Sequence, residues 1–242
     1  RCSGVEGLHL FLPLNPAEMS FSKFTQSTFF LLVLAVIPAF AQSSSEAYRT
    51  ELFRNLTQPE INIQTSGGSI EVIGHNENTA RVEMFVRRGA DYLRASDTDL
   101  SDFEITIARQ GNSIIASAKK QSSGLWNWLS SDRPPSISFK LMVPQNSFVE
   151  GRTSGGSVSA ANIQNDVDLS TSGGSVRLDG ASGNISLRTS GGSITVTDAS
   201  GTIEASTSGG AIRAEQVSGS VELRTSGGSI RIQDSGGAIS AR

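Results

Sequence analysis

From Val149 to Ile239 an apolar β-branched residue returns at every ninth position: Val149, Val158, Val167, Val176, Ile185, Ile194, Ile203, Ile212, Val221, Ile230 and Ile239. A slower period overlies this beat, because Thr-Ser-Gly-Gly begins at Thr153, Thr171, Thr189, Thr207 and Thr225, each eighteen residues after the last. Around the beats, Ile194 and Val196 alternate with Thr195 and Thr197, and Ile203 and Ala205 alternate with Glu204 and Ser206. Period-two alternation in such short runs predicts strands. Between the runs lie Gly191-Gly192 and Ser200-Gly201, expected to supply the positive φ values and close approach of tight corners. Each eighteen-residue unit therefore reads as one coil of two strands and two corners. Coils of equal length can stack at about 4.8 Å, each strand parallel to its equivalent in the next coil. The expected fold is all-β: a parallel β-solenoid, or β-helix, of 18-residue coils made of two nine-residue halves, over residues 149–242.

Parity sorts the side chains. Inward columns hold Val176, Ile194, Ile212 and Ile230; Leu178, Val196, Ala214 and Ile232; and Leu169, Leu187, Ala205 and Leu223. A corner column of Ile163, Ala181, Ala199 and Val217 also fits inside, and the tetrad threonines share this parity, so that stacked hydroxyls are expected to bond along their column. Outward columns are polar: Arg177, Thr195, Arg213 and Arg231 on one strand, Asp168, Ser186, Glu204 and Glu222 on the other. A single coil buries too little to hold itself, so stability is expected to be shared with its neighbours.

Residues 42–148 follow a looser pattern. Ile61, Ile63, Thr65-Ser-Gly-Gly68, Ile70 and Val72 repeat the later spacing, yet Thr65 and Thr153 stand 88 residues apart, which is no multiple of eighteen. The intervening insert alternates as strand at Val82, Met84 and Val86, at Phe103, Ile105 and Ile107, at Ser113–Ala118, and from Ile137 to Val143. Asp91–Asp102 is expected to be a helical turn or loop. An irregular β-rich N-terminal cap accounts for this half, since a solenoid must cover its open edge.

Ahead of it, residues 1–18 precede the first methionine, Met19, and read as an upstream, non-structural segment. Residues 19–41 have the layout of a secretory signal: Lys23, an apolar run from Phe29 to Ile37, and Ala39-Phe40-Ala41. The run is shorter than the roughly 20 residues of a membrane span. Cleavage after Ala41 is expected to deliver the chain to the periplasm, the exterior or the cell surface, with no transmembrane span in the mature part.

Composition narrows the chemistry. The only cysteine is Cys2, and of two histidines only His75 follows the signal segment, in a turn-like Gly74-His-Asn-Glu-Asn78. Ser-His-Asp, Cys-His and zinc arrangements therefore lack their parts, and no catalytic residue, metal ligand or cofactor is assigned. The net charge of -3, with signs interspersed, gives no nucleic-acid footprint. A calcium β-roll needs aspartate where this corner has Gly-Gly-Ser-Ile, and Asp97–Asp102 lacks the glycine and closing glutamate of an EF-hand. The outward column of Asp168, Glu204 and Glu222 offers carboxylates at a spacing suited to sugar cleavage, but also suits a solvated charged face. A threonine column suggests ice binding, but it is single and its parity points inward. Trp126 and Trp128, in a Ser-rich loop before Pro134-Pro135, suit either a ligand platform or an apolar plug for the end of the stack, and the cap's need for bulk favours the plug.

The repeated Thr-Ser-Gly-Gly-Ser-Ile, with Ser-Gly-Asn-Ile at 182–185 and Ser-Gly-Thr-Ile at 200–203, resembles the bacterial "putative adhesin" family of β-strand-repeat proteins. So do Ile61–Gly74 and Arg81–Val86, and the likeness spans Tyr48 to Arg242. The resemblance implies a solenoid fold and bacterial export or surface association, with no catalytic residues to carry over. The leading expectation is a non-enzymatic, exported adhesin-like binding or scaffold protein of the cell envelope, with a protein or glycan partner. A polysaccharide-active enzyme using the acidic column is the alternative, and self-association through the C-terminal edge of the solenoid is a third.

Overall fold

The computed structural model describes residues 47–96, 98–121 and 134–242. The chain divides into two units, Arg1–Gln42 and Ser43–Arg242. The first unit, with the signal-like segment, and also Trp126 and Trp128 lie outside the described residues.

Among the described residues the protein is all-β, with sixteen strands in one sheet and no helix. The first half supplies β1 (Arg49–Arg54), β2 (Glu60–Thr65), β3 (Ile70–His75), β4 (Thr79–Arg88), β5 (Asp91–Leu93), β6 (Phe103–Gln110), β7 (Ser113–Lys120) and β8 (Ser136–Pro144). The second supplies β9 (Phe148–Thr153), β10 (Val158–Ile163), β11 (Val167–Thr171), β12 (Val176–Thr189), β13 (Ile194–Thr207), β14 (Ile212–Thr225), β15 (Ile230–Gln233) and β16 (Gly236–Ala241).

Parallel pairing runs in two series. One passes from β8 through β3 and β10 to the leading halves of β12, β13 and β14, and then to β15. The other passes from β7 through β2, β9 and β11 to the trailing halves of β12, β13 and β14, and then to β16. From β9 onward each residue pairs with the one eighteen positions on, as Ile194 does with Ile212 and Glu204 with Glu222. Alternation then dictates burial. The columns Val176–Ile194–Ile212 and Leu169–Leu187–Ala205–Leu223 are buried in one core, with the corner residues Ile163, Ala181, Ala199 and Val217.

The 88-residue step between Thr65 and Thr153 has a spatial explanation. These two threonines are direct register partners, because β2 and β3 lie beside β9 and β10. The chain between them travels to the far side of β2 and β3 and lays down β7 and β8 there, also parallel. Spatial order thus departs from chain order. Antiparallel strands complete that side: β4 on β8 and β1 on β4, with β6 on β7. Of Asp91–Asp102, expected to be a helical turn or loop, Asp91–Leu93 is instead a strand paired with Arg88–Val86, and the described residues after it are turn and loop. Tyr92 anchors it, edge-on to Phe85 with ring centroids 6.2 Å apart and 5.0 Å beneath the Arg87 guanidinium.

The Thr-Ser-Gly-Gly corner is held by a different bond from the one expected. The buried threonine hydroxyls do not bond to one another. Thr189 Oγ1 donates to Gly174 O of the preceding repeat at 2.8 Å and accepts from Gly192 N–H of its own at 3.2 Å. Thr171 and Thr207 repeat both bonds. Thr189→Val keeps the shape but leaves a buried carbonyl and amide unpaired, so a loss of about 1–3 kcal/mol is expected in urea unfolding. Thr189→Ser, which keeps the hydroxyl, should recover most of it.

The tetrad glycines are also needed for a reason narrower than the one expected. None has a positive φ. Left-handed backbone occurs instead at the next corner, in the column Asn162, Gly180, Asp198, Gln216 and Asp234, with φ between 48° and 66°. Gly183, Gly201, Gly219 and Gly237 follow at φ of 101–121°. The second tetrad glycine serves close approach alone: a Cβ on Gly192 would lie 1.9 Å from Gly174 O.

Candidate functional site

The acidic column and its neighbours form two runs of ion pairs, one from Glu150 to Glu204 and one around Glu222. Arg152 Nη2 lies 2.7 Å from Glu150 and 3.1 Å from Asp168. Arg188 reaches Asp168 at 3.8 Å and Glu204 at 3.5 Å, and also donates to Ser186 Oγ. Arg224 pairs with Glu222, which Arg242 approaches at 3.9 Å. The cause is the register: the acidic column and an arginine-bearing column lie two residues apart on the same strands, both facing out.

This arrangement bears on the carboxylates as chemistry. Glu204 and Glu222 are register neighbours, but an arginine sits against each. Glycoside hydrolysis asks for one carboxyl held in apolar surroundings, whereas both of these lie on an outward face beside guanidinium groups. With Arg188 and Glu204 side chains both more than half exposed, each pair contributes about 0–1 kcal/mol. Arg188→Ala is accordingly expected to shift stability by less than about 1 kcal/mol, and by less again in high salt.

The arginine column Arg177, Arg213 and Arg231 belongs to the other pairing series, so it does not share a site with the acidic column. Arg213 lies 3.6 Å from Glu215. Among the described residues Arg177 and Arg231 make no ion pair. Within the EF-hand-like stretch, Asp99 accepts from Ser101 N–H at 2.9 Å and Ser101 Oγ at 2.8 Å. The Ser101 hydroxyl and then its amide hold the Asp99 carboxyl below the ordinary carboxylate range. A turn is what these atoms build. His75 ends β3, where its Nδ1 accepts from Glu77 N–H at 3.0 Å.

One feature was not anticipated: a groove of about 570 Å³ along the left-handed corner. It crosses four adjacent strands, from His75 on β3 over Asn162 on β10 and Gly180 on β12 to Asp198 on β13. The floor is buried Ile163 and Ala181. Gln145, which re-enters after the insert, makes one wall. Its N–H donates to His75 O at 2.8 Å, and its carbonyl accepts from Gln164 N–H at 2.6 Å. Ser182 and Ser200 line the remainder. Aligning the chain by eighteens exposes half of this site, because Gly180 stands where the other repeats have Asn162, Asp198, Gln216 and Asp234. Nothing local in the sequence brings His75 or Gln145 to it.

No family model and no curated protein sequence matches the chain. Solved structures that overlap with it include a "putative cell adhesion protein" from Clostridium sporogenes ATCC 15579, at 11% identity and a TM-score of 0.33, covering 80% of this chain and 99% of that one. Another is a "putative adhesin" from Bacteroides fragilis NCTC 9343, at 13% identity and a TM-score of 0.34, covering 80% and 96%. Overlap this weak carries no conclusion about this chain.

Proposed function

We propose that this protein is a parallel β-solenoid of 18-residue coils acting as an exported, non-enzymatic, adhesin-like binding or scaffold module of the bacterial cell envelope. One observation supports it above others: the unbroken parallel register from β9 to β16, which repeats the same outward-facing polar positions at each strand spacing. Repetition of this kind makes a stiff, extended polar surface, suited to holding a protein or glycan partner. The arginines against Glu204 and Glu222 favour binding over sugar cleavage. Export rests on the signal-like residues 19–41 and the segment Ala39-Phe40-Ala41.

The purified protein is expected to bind saturably to isolated bacterial envelopes or to a glycan array, releasing no new reducing ends. Release of reducing ends that Glu204→Gln or Glu222→Gln abolishes would replace this reading with a polysaccharide-active enzyme. A second reading, self-association, is favoured by the outer edge of β15 and β16, which carries no strand among the described residues and where Ile239 is 38% exposed. Light scattering that gives a mass independent of concentration and equal to one chain would remove it.

A further inference from the structure

We infer that the corner groove is a binding site for an uncharged glycan chain, seated in the notch that Gly180 leaves between Asn162 and Asp198. This deepens the proposed adhesin-like reading and rests on it.

The notch comes from one missing side chain. In the left-handed column, the flanking repeats carry Asn162 and Asp198, whereas Gly180 has nothing beyond its Cα. A Cβ there would meet Asn162 Oδ1 at 3.1 Å, so the Asn162 carboxamide forms one edge of the notch. Three strand spacings from β3 to β13 make the trough roughly 14 Å long. That length suits a chain of several sugars better than a single one. Each strand spacing is also comparable to the rise of one sugar in an extended glycan. The volume of about 570 Å³ lies in the range of small-ligand sites, roughly 300–1,000 Å³.

The lining selects the chemistry. Among the described residues no lysine or arginine lines the groove, which disfavours an anion. Asp198 is the only carboxylate among those residues, which disfavours a cation, and their apolar side chains are confined to Ile163 and Ala181. What remains are carboxamides, hydroxyls and the His75 imidazole, which both donate and accept, matching a ligand with hydroxyls on every side. Among the described residues, the side chains of Asn76, Gln145, Asn162, Gln164, Ser182 and Ser200 have no hydrogen-bond partner within the protein. Polar groups in the two runs of ion pairs, by contrast, are spent on each other. The backbone bonds joining His75, Gln145 and Gln164 hold this wall in place before any ligand arrives, which lowers the ordering cost of binding.

Calorimetric titration of the purified protein with neutral hexasaccharides of glucose and of N-acetylglucosamine, and with an acidic galacturonate hexasaccharide, tests the inference. At least one neutral chain should bind, and more tightly than the acidic one. Gly180→Asn places in the notch the side chain that Asn162 carries at a similar φ, 58° against 66°, and asks the Asn162 carboxamide to shift; the folded variant should bind at least about tenfold more weakly. Gln145→Ala and Asn162→Ala should each weaken binding several-fold, and they carry the test if Gly180→Asn does not fold. Arg224→Ala, remote from the groove, should leave affinity within about twofold. Failure of all neutral chains to bind, or a folded Gly180→Asn that binds as the parent does, overturns the inference. If envelopes still retain the protein in either case, the adhesin-like reading survives and only the groove is wrong. If they do not, both fall.

Discussion

Gly192→Ala is expected to destabilise the protein by about 3 kcal/mol or more, while Gly191→Ala, one residue earlier, changes stability by less than about 1 kcal/mol. The difference is geometric. A Cβ on Gly192 would stand 1.9 Å from Gly174 O, 2.4 Å from its carbonyl carbon and 2.8 Å from Ser175 N, all backbone. One on Gly191 would find nothing nearer than 3.6 Å. The clash has no soft partner. The opposing segment is held on both sides, by Val176 N–H donating to Ser193 O at 3.0 Å and by Thr189 Oγ1 donating to Gly174 O. Equivalent contacts of 1.9–2.1 Å recur at Gly68, Gly156, Gly174, Gly210 and Gly228, so the result should hold at any of them. Urea midpoints of the two variants decide it, and equal losses would show that the corner relaxes more freely than its bonds imply.

The second large effect is expected at Phe139, one of the bulkiest fully buried side chains. It sits on β8 in register with Ile70 on β3 and Met84 on β4, where parallel pairing gives way to antiparallel. Phe139→Ala removes most of a buried ring at that seam and should cost about 3–5 kcal/mol. The damage should also be local, because β13 and β14 lie several strands away from β8 in the pairing order. Hydrogen exchange is expected to accelerate in β1, β4 and β8 while β13 and β14 keep their protection. Uniform acceleration throughout the sheet would mean that the strands open as one cooperative unit.

The corner residues show how far sequence reading reaches. The double glycine announces a tight corner, but φ cannot be read from a dipeptide, and the left-handed positions turned out to be Asn162, Asp198 and Gln216. Threonine parity correctly places the hydroxyls inside. Their partner, a glycine carbonyl of the preceding repeat, depends on how far the two backbones are offset. The acidic column was legible as Asp168, Glu204 and Glu222, and the arginines two residues on along the same strands pair with it across the register, which the tertiary structure supplies. The residues 122–133 that include Trp126 and Trp128 lie outside the described structure.

Over residues 149–242, strand positions, the inside and outside of each strand, and the pairing of Ile194 with Ile212 follow from the chain alone, because alternation and an even period are local properties that constrain register. The placement of β7 and β8 beyond β2 and β3 does not follow from it, nor does the meeting of His75, Gln145 and Gly180 at one groove. Those depend on contacts between segments far apart in the chain, and no period in the residues between them encodes which edge a returning strand will join.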